Sequence, residues 1–170
     1  MNHPRNVTVV CYLEKGNQML MLHRTKKEKD INAGKWIGVG GHVENGESPE
    51  DAVVREVKEE TGYQLNSFRY RGILTFCYND EPSMYMFLFT SEDFSGEQIE
   101  CNEGDLKWID KSKVLDLDLW QGDRIFHRLL ETRQDFFAMK MNYRDDELID
   151  CYLDGKKIEV DGYAADSFVD

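Results

Sequence analysis

The chain has 170 residues, of which 41% are hydrophobic, so it is long enough to bury the core of one globular domain. Its 21 basic and 33 acidic residues give a net charge of −12. Such a chain lacks the basic surface that binding to a nucleic-acid polymer requires. No apolar run approaches the roughly 20 residues of a membrane-spanning helix. No signal peptide opens the chain, so we expect a cytoplasmic protein without membrane contact.

The cysteines are widely scattered and form no Cys-x-x-Cys pair, so they signal neither a zinc site nor a disulfide framework. We expect these thiols to be reduced and mostly buried in strands: Cys11, Cys77, Cys101 and Cys151.

Alternating or β-branched segments predict strands at residues 6–13, 18–23, 36–41, 68–78, 83–90, 106–109, 136–143, 148–153 and 156–160. Apolar periodicity predicts helices over 49–61 and 123–133, and residues 92–103 are expected to form an acidic loop. We predict one domain over residues 1–135 and a β-hairpin extension over 136–170 that packs on it and extends its sheet or covers an edge.

The first helix has strong boundary signals. Ser48 is a good N-cap, Pro49 suits the first helical position, and Asp51 is the acid of a capping box. Gly62 is the expected stop, because glycine tolerates the left-handed conformation.

Acidic side chains cluster on one side of this helix. Glu56, Glu59 and Glu60 fall within one stripe about 100° wide. The negative charges in such a stripe repel one another, which suggests that a cation binds there. Mg²⁺ and Mn²⁺ prefer hard oxygen ligands of this kind. The alternative is an ordinary solvated acidic face, and the helix by itself favours that alternative.

The whole stretch 41–63 has the pattern G-x5-E-x7-R-E-V-x-E-E-x-G. This pattern resembles the Nudix box, the signature of hydrolases that split nucleoside diphosphates linked to another group. One position departs, because the residue after the final glycine is usually aliphatic and here is Tyr63. The resemblance implies a Nudix fold of the α/β class, an α/β/α sandwich around a central mixed β-sheet.

The resemblance also assigns roles within the box. It implies a metal site formed by the carbonyl of Gly40 and by carboxylates that also act in catalysis: Glu56, Glu59, Glu60 and, from a later loop, Glu103, with Glu100 as its alternative. Gly41, Glu47, Arg55 and Gly62 are the structural residues of the motif. Arg55 is placed to pair with Glu47 and to orient Glu59.

Substrate contacts are expected outside the box. Arg24 follows the second strand, where MutT-type Nudix hydrolases often direct a basic residue at the substrate phosphates; it could also be an ordinary strand-end residue. Trp120 and Asp123 resemble the tryptophan and aspartate that oxidised-purine triphosphatases present to the base. Alternatively, Trp120 is a core residue and Asp123 is a helix N-cap or a first-turn acid. Two further positions that contact the base in that branch differ in this chain: Gly122 replaces one of the paired aspartates, and Ile37 replaces an asparagine.

The chain as a whole looks like the MutT/MutX branch of Nudix hydrolases. This resemblance implies hydrolysis of 8-oxo-dGTP and related nucleotides to the monophosphate and pyrophosphate, which sanitises the nucleotide pool, by a monomer or homodimer. A hydrolase of ADP-ribose, a dinucleotide or a nucleotide sugar is the competing interpretation. A nucleotide-sensing domain without turnover is another.

Overall fold

The computed structural model describes residues 6–26 and 30–160. The strands are β1 (Val7–Lys15), β2 (Gln18–His23), β3 (Trp36–Ile37), β4 (Val39–His42), β5 (Gln64–Tyr78), β6 (Met84–Ser95), β7 (Asp105–Asp110), β8 (Phe137–Arg144), β9 (Glu147–Leu153) and β10 (Lys156–Ile158). The helices are α1 (Pro49–Thr61) and α2 (Gln121–Thr132), with a 3₁₀-helix at Lys111–Asp116. None of the helices in these ranges is long and apolar enough to cross a membrane.

The strands form one mixed sheet in the order β10-β9-β8-β5-β6-β1-β2-β3, with β4 paired to β1 and β7 paired to β2. The pairs β1–β6 and β5–β8 are parallel, whereas the other neighbouring strands run antiparallel. The strands after residue 136 therefore continue the same sheet. The division into a domain and an extension remains a prediction, and residues 161–170 of that extension lie outside the described ranges.

Each face of the sheet carries one helix. Side chains alternate along β1, so Cys11 packs with α1 and its neighbour Tyr12 packs with α2. Val53 and Val57 of α1 are fully buried against the first face, and Phe126 of α2 is buried against the second. The expected α/β/α sandwich with a central mixed sheet is confirmed.

The predicted strand 36–41 is wrong as a single unit. The chain pairs with β2 at Trp36–Ile37 and then switches to β1 at Val39–His42. The switch occurs at Gly38, where a Cβ atom would lie 2.7 Å from Val10 Cγ2 and 3.0 Å from the carbonyl of Cys11. Only glycine lets the chain cross this close to β1.

The acidic segment 92–103 is also partly misassigned, because β6 continues to Ser95. Its polar end pairs with the start of β5, where Ser67 Oγ donates a hydrogen bond of 2.9 Å to Asp93. This part of the sheet extends beyond the core, so it lacks the apolar alternation that identifies strands. The 3₁₀-helix was not predicted, and α2 begins two residues earlier than expected.

All four cysteines are free, and three are buried; Cys77 is half-buried. The expectation of reduced thiols is consistent with this arrangement. Cys101 differs from the others in lying in a loop rather than in a strand.

Candidate active site

The local signals of α1 are all present in the structure. Ser48 Oγ accepts a hydrogen bond from Asp51 N, and Asp51 Oδ2 accepts one from Ser48 N, both at 3.0 Å. Pro49 begins the helix, and Gly62 ends it with a φ of 84°. A Cβ atom on Gly62 would lie 2.4 Å from the carbonyl of Glu97, so both conformation and packing require glycine. These boundaries fix which helical positions face the sheet.

The three acids of the stripe lie in different environments. Glu60 is buried, with 8% of the residue exposed, and Glu60 Oε2 accepts a hydrogen bond of 3.4 Å from Gly40 N. The Glu56 side chain is 14% exposed and the Glu59 side chain 60% exposed. The solvated-face interpretation therefore describes Glu59 but not Glu56 or Glu60. Burial of two carboxylates calls for a compensating positive charge.

Arg55 connects the loop to the helix. Its Nε and Nη2 donate to the two oxygens of Glu47 at 2.7 and 2.9 Å, the bidentate geometry that guanidinium and carboxylate favour. Nη1 donates to Glu56 at 2.8 Å and to Glu59 at 3.3 Å. Nη2 also donates to the carbonyl of His42 at 3.0 Å. The pair expected between Arg55 and Glu47 is present, and Arg55 also holds two acids of the stripe in place.

Two glycines of β4 allow close packing next to these acids. A Cβ atom on Gly41 would lie 2.6 Å from the carboxyl carbon of Glu56, so the carboxylate occupies the space that glycine leaves. A Cβ atom on Gly40 would lie 1.9 Å from the carbonyl of Val9, so β4 could not approach β1. The structure brings the amide of Gly40 to Glu60; the metal-ligand role of its carbonyl remains a prediction.

Glu103 joins the cluster from the loop before β7. Arg24 Nη1 donates to Glu103 Oε2 at 2.8 Å, and Arg24 Nε donates to Asp30 Oδ2 at 2.6 Å. The charge of Glu103 acts on Glu60, where it raises the pKa, so the two side chains are close. Glu100 is exposed, and among the described contacts it has none with this cluster. The arrangement favours Glu103 over Glu100 and places Arg24 beside the carboxylates.

The electrostatics of the cluster fit a divalent cation. Burial, followed by the charges of Glu103 and Glu56, raises the pKa of Glu60 from 4.5 to about 8. Burial also raises the pKa of Glu56, although Arg55 opposes the shift. Carboxylate oxygens are hard ligands that suit Mg²⁺ or Mn²⁺. The positive charge of such an ion would lower the pKa values of Glu60 and Glu56 again.

A complete coordination shell is not formed in this arrangement. Within residues 6–26 and 30–160, no three His, Cys, Asp or Glu side chains are grouped so that they could hold a metal ion. Arginines hold two of the candidate ligands in ion pairs: Arg55 holds Glu56, and Arg24 holds Glu103. An ion bound here therefore shares these carboxylates with the two arginines.

Trp120 is at the start of α2 and is 4% exposed. Its Nε1 donates a hydrogen bond of 2.8 Å to Asn32 Oδ1. The ring makes edge contacts with Tyr143 at 5.0 Å and with Phe76 at 5.4 Å between centroids. The expected position at the base site stays a prediction, because in this arrangement the indole is packed as a core residue.

Asp123 lies in the first turn of α2 and is 9% exposed. Burial raises its pKa to about 7, and the charge of Lys35 partly opposes the shift. Its neighbour Gly122 has no room for the second aspartate of oxidised-purine triphosphatases. A Cβ atom there would lie 2.3 Å from Met141 Sδ and 2.8 Å from the hydroxyl of Tyr143. The departure at Gly122 therefore follows from how α2 packs on β8.

Three polar residues near the site were not identified from the sequence. Asp30 holds Arg24, Asn32 holds Trp120, and Lys35 Nζ lies 5.4 Å from the centroid of the Trp120 ring. All three come from a polar segment without periodicity. Asp30 is six residues from its partner Arg24, whereas the partners of Asn32 and Lys35 are remote in sequence, so no local signal identifies those two contacts.

Comparison with known proteins agrees with this geometry. The model of the NUDIX domain family matches residues 2–130. The uncharacterized Nudix hydrolase YvcI of Bacillus subtilis is 31% identical over 118 residues, which cover 66% of this chain and 71% of the relative. The oxidized purine nucleoside triphosphate hydrolase of Danio rerio is 28% identical over 149 residues, 87% of this chain and 93% of the relative.

Among solved structures, the mutator MutT protein of Bacillus halodurans matches with a TM-score of 0.79 and 28% identity, over 87% of this chain and 97% of that chain. This likeness extends well beyond the box. The protein is a member of the NUDIX domain family, with the fold of MutT-like Nudix hydrolases.

Proposed function

We propose that this Nudix hydrolase converts oxidised purine nucleoside triphosphates, such as 8-oxo-dGTP, into the monophosphate and pyrophosphate. It acts in the cytoplasm as a monomer or homodimer and removes damaged nucleotides before a polymerase uses them. The Danio rerio relative, named for this activity, supports the assignment along 87% of the chain. The presence of Glu56, Glu59 and Glu60 in the box argues against a sensing domain without turnover.

The carboxylate cluster performs the chemistry. Glu56, Glu60 and Glu103 would hold Mg²⁺ or Mn²⁺, with Glu59 and the Gly40 carbonyl as further ligands. A bound divalent ion supplies neutralisation of phosphate charge and lowers the pKa of a coordinated water. Without such ions, an acidic site of this kind repels a polyphosphate.

Hydrolysis adds one water across a phosphoanhydride bond. The water oxygen bonds to the α- or the β-phosphorus, the bond from that phosphorus to the oxygen that bridges the two breaks in line, and the leaving group is pyrophosphate or the nucleoside monophosphate, respectively. The water proton passes to a carboxylate of the site, for which Glu59 and Glu103 are the candidates because both are partly exposed. Arg24 beside Glu103 is positioned to meet the phosphates when this ion pair opens.

The observation that carries the base assignment is the buried carboxyl of Asp123 in the first turn of the helix that begins at Trp120. With its pKa raised to about 7, this carboxyl is present in both protonated and ionised forms near neutral pH. It can therefore donate to or accept from the edge of a purine. An acid in the first turn of a helix is ordinarily exposed to solvent and ionised, whereas Asp123 is buried.

Turnover of a nucleotide panel tests the proposal. We expect the parent to hydrolyse 8-oxo-dGTP in preference to dGTP with Mg²⁺, and to release the monophosphate and pyrophosphate. Asp123→Asn should lose this preference, whereas Asp146→Ala, in an exposed turn, should keep it. A parent that prefers ADP-ribose, a dinucleotide or a nucleotide sugar would overturn the assignment, as would an Asp123→Asn variant that discriminates like the parent.

A further inference from the structure

The surroundings of Trp120 and Asp123 are closed. Only 4% of Trp120 and 9% of Asp123 are exposed, so no face of the indole is open to a base. If a purine is to contact these residues, a neighbouring group must give way.

Lys35 is the charged group at this closure. Its Nζ lies 5.4 Å from the centroid of the Trp120 ring and 3.0 Å from Asp118 Oδ1. Its charge also acts on Asp123. Lys35 is therefore in contact with the tryptophan and near enough to the buried aspartate for its charge to act there.

The contacts of Lys35 are easier to exchange than the other contacts of Trp120. The Lys35 side chain is 21% exposed and its partner Asp118 is 65% exposed, and an ion pair in that setting contributes little to stability. By contrast, the indole nitrogen is bound to Asn32, and the ring edges pack on Phe76 and Tyr143. A flexible lysine can swing aside while the ring stays fixed.

We propose that Lys35 is a specificity-determining residue of the base site: it yields its place over Trp120 to the entering purine and then donates a hydrogen bond to a carbonyl oxygen on the purine edge. This inference rests on the proposed function and adds a substrate class. The favoured nucleotides carry an oxo group on the six-membered ring, as guanine does, rather than an amino group.

The chemical reason is that an ammonium group only donates hydrogen bonds. Guanine presents an acceptor, O6, at the position where adenine presents the N6 amino donor. Opposite an amino group the lysine meets a second donor, and both groups lose hydrogen bonds that they make in water. Discrimination by such a mismatch exceeds what an apolar pocket achieves.

The test compares 8-oxo-dGTP with 8-oxo-dATP, which share the 8-oxo group and differ in the six-membered ring. The affinities for the two corresponding monophosphates, measured by tryptophan fluorescence, provide a readout that does not depend on turnover. We expect Lys35→Met to lower the ratio of kcat/KM for 8-oxo-dGTP to kcat/KM for 8-oxo-dATP by roughly tenfold or more. The ratio of the affinities for the two monophosphates, guanine over adenine, should fall to a similar extent. The loss should appear mainly in KM for 8-oxo-dGTP.

Two further variants control the experiment. Lys140→Met removes another lysine that lies over an aromatic ring, 5.2 Å from the centroid of Tyr152; it is on the exposed face of β8, away from the buried face that packs on α2, and should leave both ratios unchanged. Asp118→Asn frees Lys35 while keeping its ammonium group, so it should lower KM and preserve the ratio.

Unchanged ratios in Lys35→Met, or equal losses for both nucleotides, would overturn the role of Lys35 while leaving the proposed function intact. A parent that hydrolyses no purine triphosphate would refute both.

Discussion

Replacing Glu60 with glutamine removes the charge of the most buried acid of the site and keeps its shape. Burial and the charges of Glu103 and Glu56 raise the pKa of Glu60 from 4.5 to about 8. A carboxyl whose pKa is raised by folding stabilises the fold fully below its unfolded pKa. That contribution is lost as the pH rises through the folded pKa. Metal-free parent should therefore lose stability relative to Glu60→Gln as the pH rises from 4.5 towards about 8.

The magnitude follows from the width of this window. Each pH unit within it changes the difference in unfolding free energy by about 1.4 kcal/mol. Two pH units, from about 5 to about 7, thus change the difference by about 3 kcal/mol. Urea unfolding of both proteins in EDTA across this range measures it, because the groups that do not interact with Glu60 contribute equally to both proteins. Glu59→Gln is the matched control, since its side chain is 60% exposed and should follow the parent.

Adding Mg²⁺ completes the experiment. An ion that binds only the folded state stabilises it, so the parent should regain stability near pH 8 and Glu60→Gln should regain much less. Turnover of the variant should fall by orders of magnitude while its fold is retained. If the unfolding free energies of the parent and Glu60→Gln change in parallel with pH in EDTA, Glu60 ionises as freely as an exposed acid and the reasoning is refuted. If Glu60→Gln retains turnover, Glu60 has no part in the mechanism.

Gly41→Ala places a methyl group 2.6 Å from the carboxyl carbon of Glu56, so Mg²⁺ titrations of turnover should show at least tenfold weaker activation with the circular dichroism spectrum preserved. Parent-like activation would mean that the position of Glu56 is not critical. Gly122→Ala collides with Met141 and Tyr143, so urea unfolding should show a loss of about 1–3 kcal/mol. An unchanged midpoint would contradict the packing explanation for the absence of a second aspartate at this position.

The sequence alone determined the helix of the box and its limits. Ser48, Asp51 and Gly62 act on backbone groups within a few residues, so their roles follow from spacing. The pair between Arg55 and Glu47 was predictable for a similar reason, because both belong to one loop–helix unit. The family signature added the metal chemistry, which the helix by itself did not favour.

The tertiary structure decided which of these acids are buried and what surrounds the base site. Glu59 and Glu60 are neighbours in sequence, yet one is exposed and the other faces β4, because burial depends on strands that pack against α1 from elsewhere in the chain. The ion pair of Arg24 with Glu103 spans 79 residues, and the Trp120–Asn32 hydrogen bond spans 88. Contacts at such separations depend on sheet order and helix placement, which periodicity and spacing along the chain do not encode.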